Sequence, residues 1–289
     1  MDTTEKKVYP RWGWGFNQIK ASYGSITPEN AHHYVLWSGG TDSTLCLYEL
    51  LDAFGADHVT AVSYHFPWLH SIKWETEHEH REMFKAKMRL KGPRYSEFTH
   101  VEITESLNVL QRKTDFQTIA GGMPQAIAWL FSLPIFIQDG SYVYAGSINE
   151  DNLSIFTNEY RDIVKNVGLI LNRKIILREP YLYFRKADIL EKLIKYDLYD
   201  VTWYCELPKE KNKPCHKCIP CQTHFTALLL LSQLSKHSYI QSFAYKKFSD
   251  ILDILKALPE SEEPVKEEPS VVDPASEDSQ PELDTNVSD

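Results

Sequence analysis

From His33 to Tyr196 the sequence alternates between short β-branched or aromatic runs and longer stretches whose apolar residues recur at helical spacing. No other feature restricts the fold so strongly. Strands are expected at His33–Trp37, Val59–Phe66, Thr99–Ile103, Tyr142–Ala145 and Ile175–Leu177. A helix is expected after Asp42, carrying Leu45, Leu47, Leu50 and Leu51 up to Gly55, with others at Glu75–Leu90, Pro124–Leu133, Asp162–Leu171 and Lys186–Tyr196. Strands separated by helices pair in parallel, and their helices must cover both sheet faces. The expected fold is therefore α/β, a doubly wound parallel sheet.

Outside this region the character changes. Residues 1–33 form an N-terminal extension rich in turns and rings, with Trp12, Gly13, Trp14, Gly15 and Phe16 in close order and no regular element assigned. Residues 34–204 are the α/β domain. Residues 205–258 hold a cysteine-bearing loop and two helices, Thr223–Leu234 and Tyr239–Leu258, read as a C-terminal zinc-binding helical subdomain. Residues 259–289 carry five prolines and eleven acids against one lysine, without apolar periodicity, and disorder is expected there. That tail holds a net −10, which leaves residues 1–258 at +1 of the chain's −9. A near-neutral folded part does not offer the broad basic surface that duplex binding needs, so nucleic acid is not expected as a direct substrate. No apolar run is long enough to span a bilayer, and none follows a basic start, so a cytoplasmic location without membrane attachment is expected.

The first strand runs into Leu36-Trp37-Ser38-Gly39-Gly40-Thr41-Asp42-Ser43-Thr44 just before a helix. Two glycines permit positive φ and close approach of backbone to a ligand. The amides from Gly40 onward are expected to point outward at the helix N-terminus, where the macrodipole favours an anion. Ser38 and Ser43 can donate to phosphate oxygens, and Asp42 suits a phosphate-bound Mg²⁺. The Walker pattern is excluded, because no lysine follows the second glycine. A plainer reading makes Asp42 the N-cap of an ordinary helix.

Cys205, Cys215, Cys218 and Cys221 fall within 17 positions, clustered rather than dispersed as in a secreted disulfide scaffold. Four thiolates complete a closed tetrahedral zinc site, which points to a structural metal. An iron–sulfur cluster is open on ligand type alone. His216 and His224 lie in or beside the cluster as further candidates, while Cys46 reads as a buried small residue in the first helix.

The turn matches S-G-G-x-D-S, the signature of the PP-loop ATP pyrophosphatases. Together with the cysteine quartet, Ala61-Val62-Ser63-Tyr64, Tyr144-Ala145-Gly146-Ser147-Ile148-Asn149-Glu150-Asp151 and Thr202-Trp203-Tyr204-Cys205, it resembles the 7-cyano-7-deazaguanine synthase family between about Tyr34 and Leu231. The resemblance implies an adenine nucleotide alpha hydrolase-like PP-loop fold. It also implies ATP, Mg²⁺ and Zn²⁺, a deazapurine acid and ammonia as substrates, and a homodimer. The implied reaction converts 7-carboxy-7-deazaguanine to 7-cyano-7-deazaguanine through adenylated intermediates, in queuosine-type biosynthesis. Leu36 to Thr44 would hold ATP, with Asp42 and Ser43 acting in catalysis, and the four cysteines zinc. Asp151 and Arg161 are candidates for the substrate.

The sequence departs from the family in the region expected to hold the deazapurine. Tyr64-His65-Phe66-Pro67-Trp68 and Phe156-Thr157-Asn158-Glu159-Tyr160-Arg161 replace family segments, and His216 and His224 stand where the zinc loop has glycine and arginine. Rival readings are another PP-loop ligase that modifies a nucleobase or tRNA, and a zinc-bearing module that binds nucleotide without chemistry. His70, His78 and His80 form a histidine group on a polar helix that reads as surface.

Overall fold

The computed structural model describes residues 31–65, 71–104, 123–150 and 157–257. Among them, β1 (His33–Leu36), β2 (Val59–His65), β3 (Thr99–Thr104), β4 (Ser141–Tyr144) and β5 (Ile175–Arg178) form one sheet in the order β3-β2-β1-β4-β5. Every neighbouring pair is parallel. The helices are α1 (Thr41–Phe54), α2 (Ser71–Lys91), a single turn α3 (Pro93–Ser96), α4 (Met123–Phe136), α5 (Thr157–Ile170), α6 (Lys186–Lys195), α7 (Ile219–Leu234) and α8 (Ser238–Ala257).

Side chains alternate across each strand, and in β1, β2, β4 and β5 both faces are apolar. Val35, Trp37, Ala61, Tyr142, Tyr144 and Ile176 enter one core with residues of α1, α6, α7 and α8. Tyr34, Val62, Val143, Ile175 and Leu177 enter the other with Leu130 and Leu133 of α4 and Tyr160 and Val164 of α5. The sheet is doubly wound, as the alternation requires. Ala227, Leu228, Leu231, Ala244 and Ile251 share the first core with Leu45 and Leu190, so α7 and α8 have no separate interior.

Element boundaries shift where polar residues hide a helix start. α2 begins at Ser71 rather than Glu75, and α5 at Thr157 rather than Asp162. Acidic Glu159 in the first turn of α5 suits a helix N-terminus although it breaks the apolar spacing. α7 begins at Ile219, inside the cysteine segment, with Cys218 as N-cap and Pro220 in its first turn, where a missing N–H costs nothing. The N-terminal extension up to residue 30, His70, Asp151 and the acidic tail lie outside the described residues.

Candidate active site

In an open parallel sheet, a crevice opens at the carboxyl ends of the strands where the order reverses. That point lies between β1 and β4. The Ser38-Gly39-Gly40 turn leaves β1 at this place. Gly39 has φ +94°, and a Cβ there would sit 2.7 Å from the Glu77 carbonyl oxygen of α2. Only glycine fits.

Gly40 is the N-cap of α1, with extended backbone and no capping side chain. Asp42 is therefore not the cap but lies within the first turn. The expectation that all amides from Gly40 onward face outward is corrected. The Gly40 amide donates to Ser38 Oγ at 3.1 Å, and the Thr41 amide donates to the Trp203 carbonyl at 3.2 Å. Among the described residues, the Asp42 and Ser43 amides are the first-turn donors that keep no acceptor. Gly146, just after β4, packs directly against this turn. A Cβ at Gly146 would lie 2.8 Å from Ser43 N and 2.9 Å from Asp42 C.

Two oxygens and a lysine complete this corner. Ser38 Oγ and Ser43 Oγ are 3.1 Å apart. Asp42 Oδ2 accepts from Lys186 Nζ at 2.6 Å and from the Thr41 hydroxyl at 3.2 Å. Lys186 also donates to Thr41 Oγ1 at 2.6 Å. Asp42 Oδ1 is buried and without a hydrogen-bond partner, the condition of an oxygen that awaits a cation or donor. The site thus offers two free amides, hydroxyls, one orphaned carboxylate oxygen and an ammonium, a donor set that fits a magnesium-bound phosphate.

The remaining residues of the turn brace it from behind. Leu36 packs partly buried in the apolar layer. The buried Trp37 indole donates to Thr44 Oγ1 at 3.0 Å, and the Trp37 carbonyl accepts from Ser63 Oγ at 2.5 Å. Arg81 of α2, fully buried, donates to the Ser38 carbonyl at 2.7 Å and lies 3.6 Å from Glu102. Beside it His100, with Nε2 2.9 Å from Ser63 Oγ, is pushed down to about 3 by burial and then by the charges of Lys85 and Arg81.

Arg161, half-exposed on α5, has Nε 3.1 Å from Glu179 Oε2 just beyond β5. Burial raises the Glu179 carboxyl, while Arg161 opposes the rise. Of the histidine group, His78 lies 3.8 Å from Glu102, whereas His80 is not at the surface but buried against the Trp203 ring.

The four cysteine sulfurs converge, all within 4.8 Å of one another. Cys205 and Cys218 are 4.0 Å apart, and Cys215 and Cys221 3.9 Å. Zinc with Zn–S bonds of about 2.3 Å needs tetrahedral sulfurs roughly 3.8 Å apart. A cubane cluster, with each thiolate on a different iron, needs them spread wider, so the quartet fits a single ion. Backbone amides of Cys215 and Cys218 donate to Cys205 Sγ and Cys215 Sγ at 3.2 and 3.3 Å, which favours thiolate. Hydrogen bonding from Cys221 lowers the Cys205 thiol. His224 lies flat on Tyr204 at 3.7 Å with Nε2 2.8 Å from the Tyr199 hydroxyl, and neither it nor His216 belongs to the quartet. Cys46 is buried in the core.

No family model and no curated protein matches the chain. Among solved structures it is similar to the U34-tRNA thiolase NcsA from Methanococcus maripaludis with its [4Fe-4S] cluster, at 12% identity and TM-score 0.39, covering 84% of this chain and 78% of that one. It is also similar to a glutamine-dependent NAD+ synthetase from Acinetobacter baumannii in complex with ADP. There the identity is 18% and the TM-score 0.34, over 79% of this chain and 40% of the synthetase. No helix among the described residues is long and apolar enough to cross a membrane.

Sequence reading missed Lys186 and Arg81. A lysine in the first turn of a helix opposes the macrodipole, and that anomaly at Lys186 was a signal. Arg81 carried none, being one charge among many on α2.

Proposed function

We propose that the chain is an ATP-dependent enzyme that splits ATP between its α and β phosphates and transfers AMP to a deazapurine carboxylate. Ammonia then converts the acyl adenylate to an amide, with the nitrile following from a second adenylation. The observation that carries this reading is the start of α1 at Ser43. Two unpaired first-turn amides stand beside a glycine packed too closely for any side chain, with an orphaned oxygen of Asp42 at the same turn.

In the first step a substrate carboxylate oxygen attacks the α-phosphorus, and the bond from that phosphorus to the bridging oxygen breaks. The leaving pyrophosphate gathers negative charge. The Asp42 and Ser43 amides and the Ser38 and Ser43 hydroxyls would donate to it, and Lys186 would supply positive charge beside it. Mg²⁺, held by Asp42, would neutralise the phosphate oxygens and strengthen the leaving group. Asp42 and Ser43 are thus assigned to catalysis and Ser38 to Thr44 to the nucleotide, with Leu36 and Trp37 as support. Arg161 is assigned to the substrate side, where its pairing with Glu179 fixes its orientation. Cys205, Cys215, Cys218 and Cys221 would hold zinc in a structural role, because four protein ligands leave no position for water.

The test uses the zinc-loaded full chain with ATP, Mg²⁺, ammonia and 7-carboxy-7-deazaguanine. Pyrophosphate release that depends on the acid is expected. ATP bound but never cleaved, with this acid or related purine acids, would refute adenylation.

A further inference from the structure

The cysteine knot and the glycine turn are far apart in the sequence but share backbone. Trp203, two residues before Cys205, lies alongside Gly40 as a parallel bridge. Its amide donates to the Gly39 carbonyl at 3.0 Å, and its carbonyl accepts from the Thr41 amide at 3.2 Å. Its indole N–H donates to the carbonyl of Cys205 itself at 2.7 Å. The ring is buried, against His80 on one side and Tyr204 on the other. The first metal ligand is therefore tied through one residue to the carbonyl and the amide that flank Gly40.

A second route runs through α2. Glu206, next to Cys205, accepts from Lys73 Nζ at 2.6 Å. The Asn212 amide donates to Thr76 Oγ1 at 3.3 Å, and its side chain donates to Glu79 Oε2 at 3.1 Å. Lys211 pairs with Glu79 at 2.8 Å. The same helix presses the Glu77 carbonyl against Gly39 and holds the Ser38 carbonyl with Arg81. The glycine turn is thus clasped between two segments, both anchored on the cysteine loop.

We propose that Trp203 is a positioning residue that couples the metal knot to the nucleotide turn, so that filling the knot tightens ATP binding and ATP in turn retains the metal. The proposal rests on the nucleotide reading of the turn. The physical reason is that a turn held by two backbone bonds presents its amides in one arrangement only while its partner strand is fixed. Without the ion, the four sulfurs of the knot are no longer held to one another, the Cys205 segment keeps only its hydrogen bonds and ion pairs to Trp203 and α2, and the turn must spend binding free energy on ordering itself.

Coupling between two sites is reciprocal, which supplies a test on the native chain. Magnesium-ATP affinity is measured by calorimetry for the zinc-loaded and zinc-stripped full chain, and zinc transfer to a chromogenic chelator is followed to equilibrium with and without saturating magnesium-ATP. Loss of metal is expected to weaken ATP binding at least five-fold, and saturating ATP is expected to raise the chain's zinc affinity against the chelator by the same factor. Trp203→Phe keeps the backbone bridge and the four thiolates but loses the indole bond to Cys205. It should retain one zinc per chain, bind ATP about five-fold more weakly, as for one hydrogen bond, and exchange the Thr41 amide faster as the retained bridge loosens. If the loaded native chain does not bind ATP, the nucleotide reading falls and the coupling with it. If it binds ATP with equal affinity loaded and stripped, and ATP leaves zinc transfer unchanged, the coupling alone is overturned. Should stripping unfold the chain, the native transfer experiment and Trp203→Phe decide.

Discussion

Gly146→Ala is the sharpest perturbation of the proposed nucleotide site, because it adds one methyl group where the chain packs on the helix start. The new Cβ would meet Ser43 N at 2.8 Å, Asp42 C at 2.9 Å and Ser43 Cα at 3.1 Å, all of them backbone. Backbone in the first turn of a buried helix cannot swing aside as a side-chain tip can. Overpacking of this kind costs about 1–3 kcal/mol, and for a folded part of this size each kcal/mol lowers Tm by roughly 2–4 °C. The expected loss is therefore about 2–12 °C in differential scanning fluorimetry. The nucleotide effect is separate. A methyl that pushes Ser43 back removes one amide bond to a charged phosphate, about 1.5–3 kcal/mol, or roughly 10- to 150-fold in ATP affinity. Gly92→Ala is the control: it meets nothing within 4 Å but has φ +105°, so it strains the backbone far from the site. It should lower Tm and leave ATP binding unchanged. If folded Gly146→Ala binds ATP as tightly as the native chain, the cradle over Ser43 is not where phosphate sits.

Lys186→Met and Asp42→Asn should each cost stability by leaving one charge without its partner, on the order of 1–3 kcal/mol since Asp42 keeps some solvent contact. The double variant in urea unfolding should cost less than the sum by about 1–2 kcal/mol, and strict additivity would refute the pairing. His100 has a folded pKa of about 3 against 6.5 unfolded, so its contribution is complete above pH 6.5 and lost as pH falls toward 3. At pH 5 the loss approaches about 2 kcal/mol, less with solvent screening, and His100→Gln should flatten that limb of the urea-measured stability profile. His216 has φ +57°, a left-handed backbone that favours glycine. His216→Gly should therefore keep one zinc per chain by metal analysis and hold or raise stability by up to ~1 kcal/mol. A drop in zinc content would make His216 a ligand after all.

The features legible in the sequence are those whose partners lie close along the chain. The serine-glycine turn needs only the strand before it and the helix after it, and the quartet needs 17 consecutive positions, so both declare themselves locally. The sheet was legible too, since β1, β2, β4 and β5 carry apolar residues on both faces and the helices their own periodicity. What escaped was the set of long-range pairings that turn a local bend into a site. Lys186 reaches Asp42 across 144 positions and Arg81 reaches Ser38 across 43, and neither has a distinguishing neighbour in sequence. The missed amide of Thr41 follows the same logic. A helix start viewed alone has several free donors, but the chain returns at Trp203 to take one of them. The tertiary fold thus selects which amides of the turn remain available, and it does so through the segment that leads to the cysteine quartet. A sequence that keeps the turn and the cysteines but loses Trp203 and Gly146 would still carry both motifs, and on this geometry it would bind nucleotide poorly.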